Sequence, residues 1–74
     1  MIVLTADEWE ALAMLWQCID RLSNTPNVAE LAYLLNWTED KAGRVVDKLE
    51  RATVVSYHFW QPNGRRSIVP LMRR

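Results

Sequence analysis

The sequence predicts a mainly α-helical protein with a small β-hairpin: three helices followed by two short strands, in one domain over residues 1–74. Two observations carry this prediction. Within residues 28–53, apolar side chains twice take the i, i+3, i+4, i+7 spacing of one helix face. After residue 53 the apolar period changes to two, and an Asn-Gly pair follows, which is the strongest short-range hairpin signal. A third apolar helix pattern, before residue 23, completes the three helices.

Composition limits the class of protein. A chain of 74 residues, half of them hydrophobic, suffices for one small core without disulfides. The single Cys18 cannot form an intramolecular bridge, which fits a reducing compartment and a small buried apolar side chain. No run approaches the roughly 18 apolar residues of a membrane span. The first five residues are too short for a signal peptide, so we expect a cytoplasmic protein.

The first helix is predicted from a capping box at Thr5 and Glu8 to about residue 22. It is apolar on two sides. Such a helix is either enclosed in its own core or shared with a second subunit. Because a chain this short has a small core, we expect partial sharing, in a homodimer that uses Met14, Leu15 and Cys18. The alternative is that these side chains belong to the intrachain core.

The next two helices form a helix–turn–helix. Asn36 can take the left-handed conformation that ends a helix. The Thr38 hydroxyl can then cap a helix predicted over about 38–52. Trp37 lies between the two and is expected to be largely buried as a wedge. The sequence offers two possible starts for the earlier of these helices: a capping box at Asn27, or the Thr25-Pro26 pair.

The hairpin is predicted over residues 54–71. The first strand alternates apolar and polar side chains, and the turn is expected at residues 61–64, where Asn63 and Gly64 stand. The second strand is expected over residues 67–71. Pro70 lacks a backbone N–H, which suits an edge strand or a strand end.

These motifs resemble a known family. The run Leu31-Ala32, two further residues, then Leu35-Asn36-Trp37-Thr38 resembles the winged helix-turn-helix pattern. The continuation over residues 44–51 is similar to the recognition helix of MarR-like transcriptional regulators. The resemblance implies sequence-specific binding of double-stranded DNA, with helix 38–52 in the major groove and the hairpin as a flanking wing. Thr53 stands where that family usually has a helix-ending glycine, which predicts a strained or different end.

Charge is distributed unevenly. Residues 1–37 hold one basic and five acidic side chains, whereas residues 38–74 hold eight basic and four acidic ones, so the net charge is zero. A basic half that also contains the predicted recognition helix indicates a nucleic-acid face. The candidate DNA-binding residues are Thr38, Lys41, Gly43, Arg44, Lys48, Arg51, Arg65 and Arg66.

These candidates have expected roles. The cations of the helix form one stripe at spacings of three and four residues, and Gly43 is expected on the outward side, where a DNA backbone could approach. Arg65 and Arg66 lie at the predicted wing tip, where arginine can bind phosphate or enter a minor groove. The alternative is an ordinary solvated helix surface, stabilised by the i,i+4 pairs Asp40–Arg44 and Asp47–Arg51.

The sequence contains no catalytic pattern. It has one histidine, His58, and one cysteine, too few for a zinc site, and no glycine-rich phosphate loop. We therefore expect no enzyme, cofactor or metal. A second function class remains open: a winged helix used as a protein-interaction module without DNA binding. A cluster of exposed aromatic side chains from Tyr33, Tyr57 and Trp60 would favour that class.

Overall fold

The computed structural model describes residues 3–22, 25–60 and 66–71. Within them the elements are α1 (Ala6–Leu22), α2 (Val28–Leu35), α3 (Glu39–Arg51), β1 (Val55–Trp60) and β2 (Arg66–Pro70). Three helices followed by an antiparallel hairpin confirm the predicted fold class. Among the described residues, no helix is long and apolar enough to cross a membrane.

Side-chain caps start all three helices. The Glu8 backbone N–H donates to Thr5 Oγ1 at 3.2 Å, and the Thr5 N–H donates to the Glu8 carboxylate at 3.3 Å. Asn27 and Glu30 form the same reciprocal box at 2.9 and 3.2 Å, which places the start of α2 at Asn27 rather than Thr25. The Thr38 hydroxyl accepts from the Lys41 N–H at 3.1 Å. Each cap satisfies a backbone donor that the helix itself leaves unpaired.

Left-handed residues end α2 and α3. Asn36 has φ 58° and ψ 40°, as predicted, and Thr53 also has φ 58°. After α3, the Thr53 N–H donates to the Glu50 carbonyl at 2.9 Å and the Val54 N–H to the Leu49 carbonyl at 3.1 Å. This is the Schellman arrangement, which normally favours glycine at the left-handed position. The strained end expected from Thr53 is therefore confirmed.

The hydrophobic core takes side chains from every element. Its buried members are Leu4, Ala11, Leu12, Leu15, Leu31, Val45, Val46, Leu49, Val54, Val55 and Ile68. In α3 the buried residues follow helical spacing, so one face of this helix is closed by the core and the opposite face is left to solvent. Trp37 packs against the core but is partly rather than largely buried.

The two strands pair in antiparallel register, with Val55 opposite Pro70 and Trp60 opposite Arg66. One extra residue in β1 between Ser56 and Phe59 forms a bulge, which bends that strand. Pro70 ends β2, as its missing N–H predicts. The predicted turn at residues 61–64 lies outside the described residues.

The predicted subunit interface on α1 is wrong for two of its three residues. Leu15 is 0% and Cys18 2% exposed, so both belong to the interior of this chain. Only Met14 is partly exposed. The reason is that α1 packs against α2, α3 and β2 at once, so its second apolar stripe is needed within the chain.

Candidate nucleic-acid interface

The solvent face of α3 carries the predicted cations. Burial of Ala42, Val45, Val46 and Leu49 fixes the rotation of this helix about its own axis. Arg44, Lys48 and Arg51 are consequently exposed, and the Lys41 side chain is 40% exposed. The tertiary structure thus brings the four α3 cations onto one side of the exposed surface.

Lys41 differs from the other cations because it has two partners within the protein. Its ammonium lies 3.5 Å from Asp7 Oδ2, at the first turn of α1. The same ammonium lies 4.5 Å from the centroid of the Trp37 ring, a cation–π distance. Lys41 therefore connects α1 to the helix–turn–helix.

Arg44 does not form the predicted pair with the Asp40 side chain. Its Nε instead donates to the Asp40 backbone carbonyl at 3.4 Å, one turn earlier in α3. This long bond uses only the Nε of Arg44, whose side chain is exposed. A surface groove of about 250 Å³ runs beside it, lined by Asp7, Lys41, Arg44, Val45 and Lys48.

Asp7 is a site residue that sequence reasoning missed. It lies far from α3 in the sequence, in the first helix, whose pattern predicted only packing. A carboxylate in the first turn of a helix is also expected from the helix dipole alone. No spacing rule connects it with Lys41, so only the packing of α1 on α3 could reveal the contact.

Two predicted site residues serve the fold as well. The Thr38 hydroxyl is occupied by the cap of α3. Gly43 is half-buried rather than fully outward, and a Cβ added there would make an ordinary contact of 3.9 Å with Val28 Cγ1 of α2. It sits at the junction with α2, and its role in DNA binding stays untested.

The exposed face of α3 also carries acidic side chains. Glu39, Asp40, Asp47 and Glu50 are all exposed. Because a helix turns once every 3.6 residues, Asp47 and Glu50 lie beside the basic stripe and not within it. The helix surface is therefore divided lengthwise into a basic strip and an acidic strip.

The predicted wing arginines are Arg65 and Arg66. Arg66 begins β2 opposite Trp60, but its side chain lies outside the described part of the protein, as does Arg65 entirely. The side chains of Tyr57 and Trp60 are likewise outside it. Their predicted contributions stay predictions.

A second groove, also of about 250 Å³, lies between α1 and α2 and is mainly apolar. Met14, Gln17, Cys18, Arg21 and Leu34 line it. Burial raises the pKa of the Cys18 thiol, and the negative charge of Glu30 acts in the same direction, so this thiol is a poor nucleophile at neutral pH. Over the described ranges, no group of histidine, cysteine and acidic residues could hold a metal ion.

Three helices, a left-handed turn between the second and third, and a hairpin after the third define a winged helix-turn-helix fold. No family model matches the chain. No curated protein matches it either. Among solved structures, the chain is similar to the crystal structure of MepR, a transcription regulator of the Staphylococcus aureus multidrug efflux pump MepA. The TM-score is 0.76, with 16% identity, over 90% of this chain and 47% of MepR. At that identity the likeness shows the fold alone, and it confirms the predicted winged helix.

Proposed function

We propose that this protein binds double-stranded DNA with sequence preference and acts as a small transcriptional regulator. The observation that carries the proposal is the exposed basic strip on α3, in a fold whose third helix commonly enters a major groove. The likeness to a transcription regulator agrees with it. The chain spans about half of MepR, so the activity of a whole regulator is a proposal as well.

The cations have three roles in this proposal. Arg44 is closest to the start of α3 among the exposed cations, and its guanidinium can pair with the acceptor atoms of a guanine edge. Lys48 and Arg51 lie further along the helix and bind phosphates, which positions the protein without reading sequence. Arg65 and Arg66 bind the backbone or minor groove beside the recognition helix. The acidic strip faces away from the duplex.

The test is titration of labelled duplexes of random and selected sequence at two salt concentrations. We expect Arg44→Ala to cost roughly 1–3 kcal/mol and to relax sequence preference. Lys48→Ala and Arg51→Ala should each weaken binding to all duplexes by a similar factor. Each should also make the slope of log K against log salt shallower by about 0.9. Arg21→Ala is the matched control, since it also removes one positive charge but does so on α1, beside the apolar groove and not on the α3 strip.

Two results would refute the proposal. One is the absence of salt-dependent duplex binding even at low ionic strength. The other is an equal loss of affinity for Arg21→Ala and Arg44→Ala, which would mean that net charge alone, rather than the α3 strip, attracts the duplex.

A protein-interaction module is the second candidate, and one apolar surface favours it. Tyr33 is 85% and Leu34 41% exposed, and Leu34 lines the apolar groove together with Met14. Exposed aromatic and apolar side chains together are typical of protein interfaces. A second copy of the chain could occupy this surface, so the homodimer is proposed here and not at Leu15. Sedimentation at increasing concentration tests the homodimer: self-association that Tyr33→Ser abolishes supports it, and a monomer at high concentration rejects it. Salt-dependent binding of duplex would reject the interaction module.

A further inference from the structure

A carboxylate from α1 lies in the groove beside the basic strip. Asp7 lines the groove together with Lys41, Arg44 and Lys48, and its Oδ2 is 3.5 Å from Lys41 Nζ. Both side chains are partly open to solvent, at 50% for Asp7 and 40% for Lys41. The groove therefore holds three cations and one internal anion, and that anion pairs with one of the three.

The Trp37 ring is the second partner of the Lys41 ammonium. It packs against the hydrophobic core, and its centroid lies 4.5 Å from Lys41 Nζ. An ammonium held by a ring face still has donors for an anion on its open side. In the free protein the anion that pairs with this ammonium is Asp7, whose Oδ2 lies 3.5 Å away. If the Asp7 carboxylate is removed, the ammonium keeps its contact with the ring and has donors left for another anion.

We propose that the groove between α1 and α3 takes a phosphate of bound duplex, and that Asp7 competes with this phosphate for Lys41. The proposal rests on the duplex binding proposed above and assigns its anion site. A phosphate oxygen accepts a charge-assisted hydrogen bond from an ammonium as a carboxylate does. Asp7 thus makes the protein bind duplex less tightly than its cations alone would allow.

The competition has a measurable signature in the salt dependence. While Lys41 stays with Asp7, it displaces no counterion from DNA. Once the carboxylate is removed, Lys41 can neutralise one more phosphate, and the slope of log K against log salt should steepen by about 0.9. An ion pair that only connects α1 to α3 would leave this slope unchanged, because it affects folding and not the number of phosphates bound.

The experiment titrates a labelled duplex with four proteins and one control variant between about 50 and 200 mM salt, the range in which counterion release dominates. The proteins are the wild type, Asp7→Asn, Lys41→Gln and the double variant. Glu10→Gln is the matched control, because it makes the same charge change on an exposed residue of α1 outside the groove lining. Thermal unfolding of each variant verifies that the Thr5–Glu8 cap still holds α1.

We expect Asp7→Asn to bind roughly two- to fivefold more tightly at low salt, the factor that a partly exposed ion pair supplies. Its salt slope should steepen by about 0.9, and adding Lys41→Gln should return the slope to the wild-type value. Glu10→Gln should keep the wild-type slope.

An unchanged slope in Asp7→Asn would overturn this inference while leaving duplex binding intact. Equal effects of Asp7→Asn and Glu10→Gln would overturn it as well, since net charge would then explain both. If none of the proteins binds duplex, the proposed function itself is wrong, and the phosphate site with it.

Discussion

The left-handed end of α3 makes a sharp prediction about stability. Thr53 has φ 58°, where the Cβ of an L-residue approaches a carbonyl oxygen, at a cost of about 1–2 kcal/mol. Leaving this conformation would break two hydrogen bonds, because the N–H groups of Thr53 and Val54 close the last turn of the helix. The threonine side chain is exposed, and its hydroxyl donates only to the neighbouring Ala52 carbonyl. Little is therefore lost when the side chain is removed.

Thr53→Gly should stabilise the protein. Relief of the left-handed strain is worth about 1–2 kcal/mol, and the larger backbone entropy of glycine in the unfolded chain offsets about 0.5–1 kcal/mol of it. The expected net gain is roughly 0.5–1 kcal/mol. For a domain of this size, each kcal/mol corresponds to about 4–8 °C in Tm.

Urea denaturation with a constant m-value and thermal unfolding measure this gain. Thr53→Ala is the control, since it removes the hydroxyl and the branch but keeps the Cβ, and it should recover less than half of the effect. Asn36→Gly should change stability little, because asparagine tolerates the same conformation. A Thr53→Gly variant less stable than the wild type would refute the reasoning.

Three further predictions concern side chains whose positions the fold determines. Trp37→Ala should cost on the order of 3 kcal/mol in urea denaturation, because the ring packs against the core and supports Lys41; unchanged stability would exclude the wedge. Gly43→Ala should add about 0.5–1 kcal/mol, since a Cβ fits at this helical position, and a loss of duplex affinity in that variant would show that DNA approaches there. Leu15→Glu should abolish folding by circular dichroism, whereas Met14→Glu should stay folded; a folded Leu15→Glu protein would contradict its burial.

Local chemistry explains why most of the fold was predictable. Thr5, Asn27 and Thr38 each cap a helix through a residue three positions away, and Asn36 ends one by its own conformational tolerance. Such interactions lie within a few residues of each other, so a linear pattern records them completely. The hairpin strands follow from period and composition in the same way.

The candidate site was predictable only in part. Helical spacing placed the α3 cations on one stripe, since the apolar residues between them mark the opposite face. Helical spacing could not show that Gly43 lies near Val28, because that depends on how closely α2 approaches α3. It could not show that Lys41 would be shared between Trp37 and Asp7.

The sequence by itself therefore determined the helices, their caps, the hairpin and the basic strip of α3. Tertiary structure decided which stripe of α1 is interior, and it placed Leu15 and Cys18 inside the chain. It also brought Asp7 to Lys41. The physical reason is range: capping and periodicity act between neighbours along the chain, whereas burial and ion pairing depend on distances in space that exist only once the helices have packed.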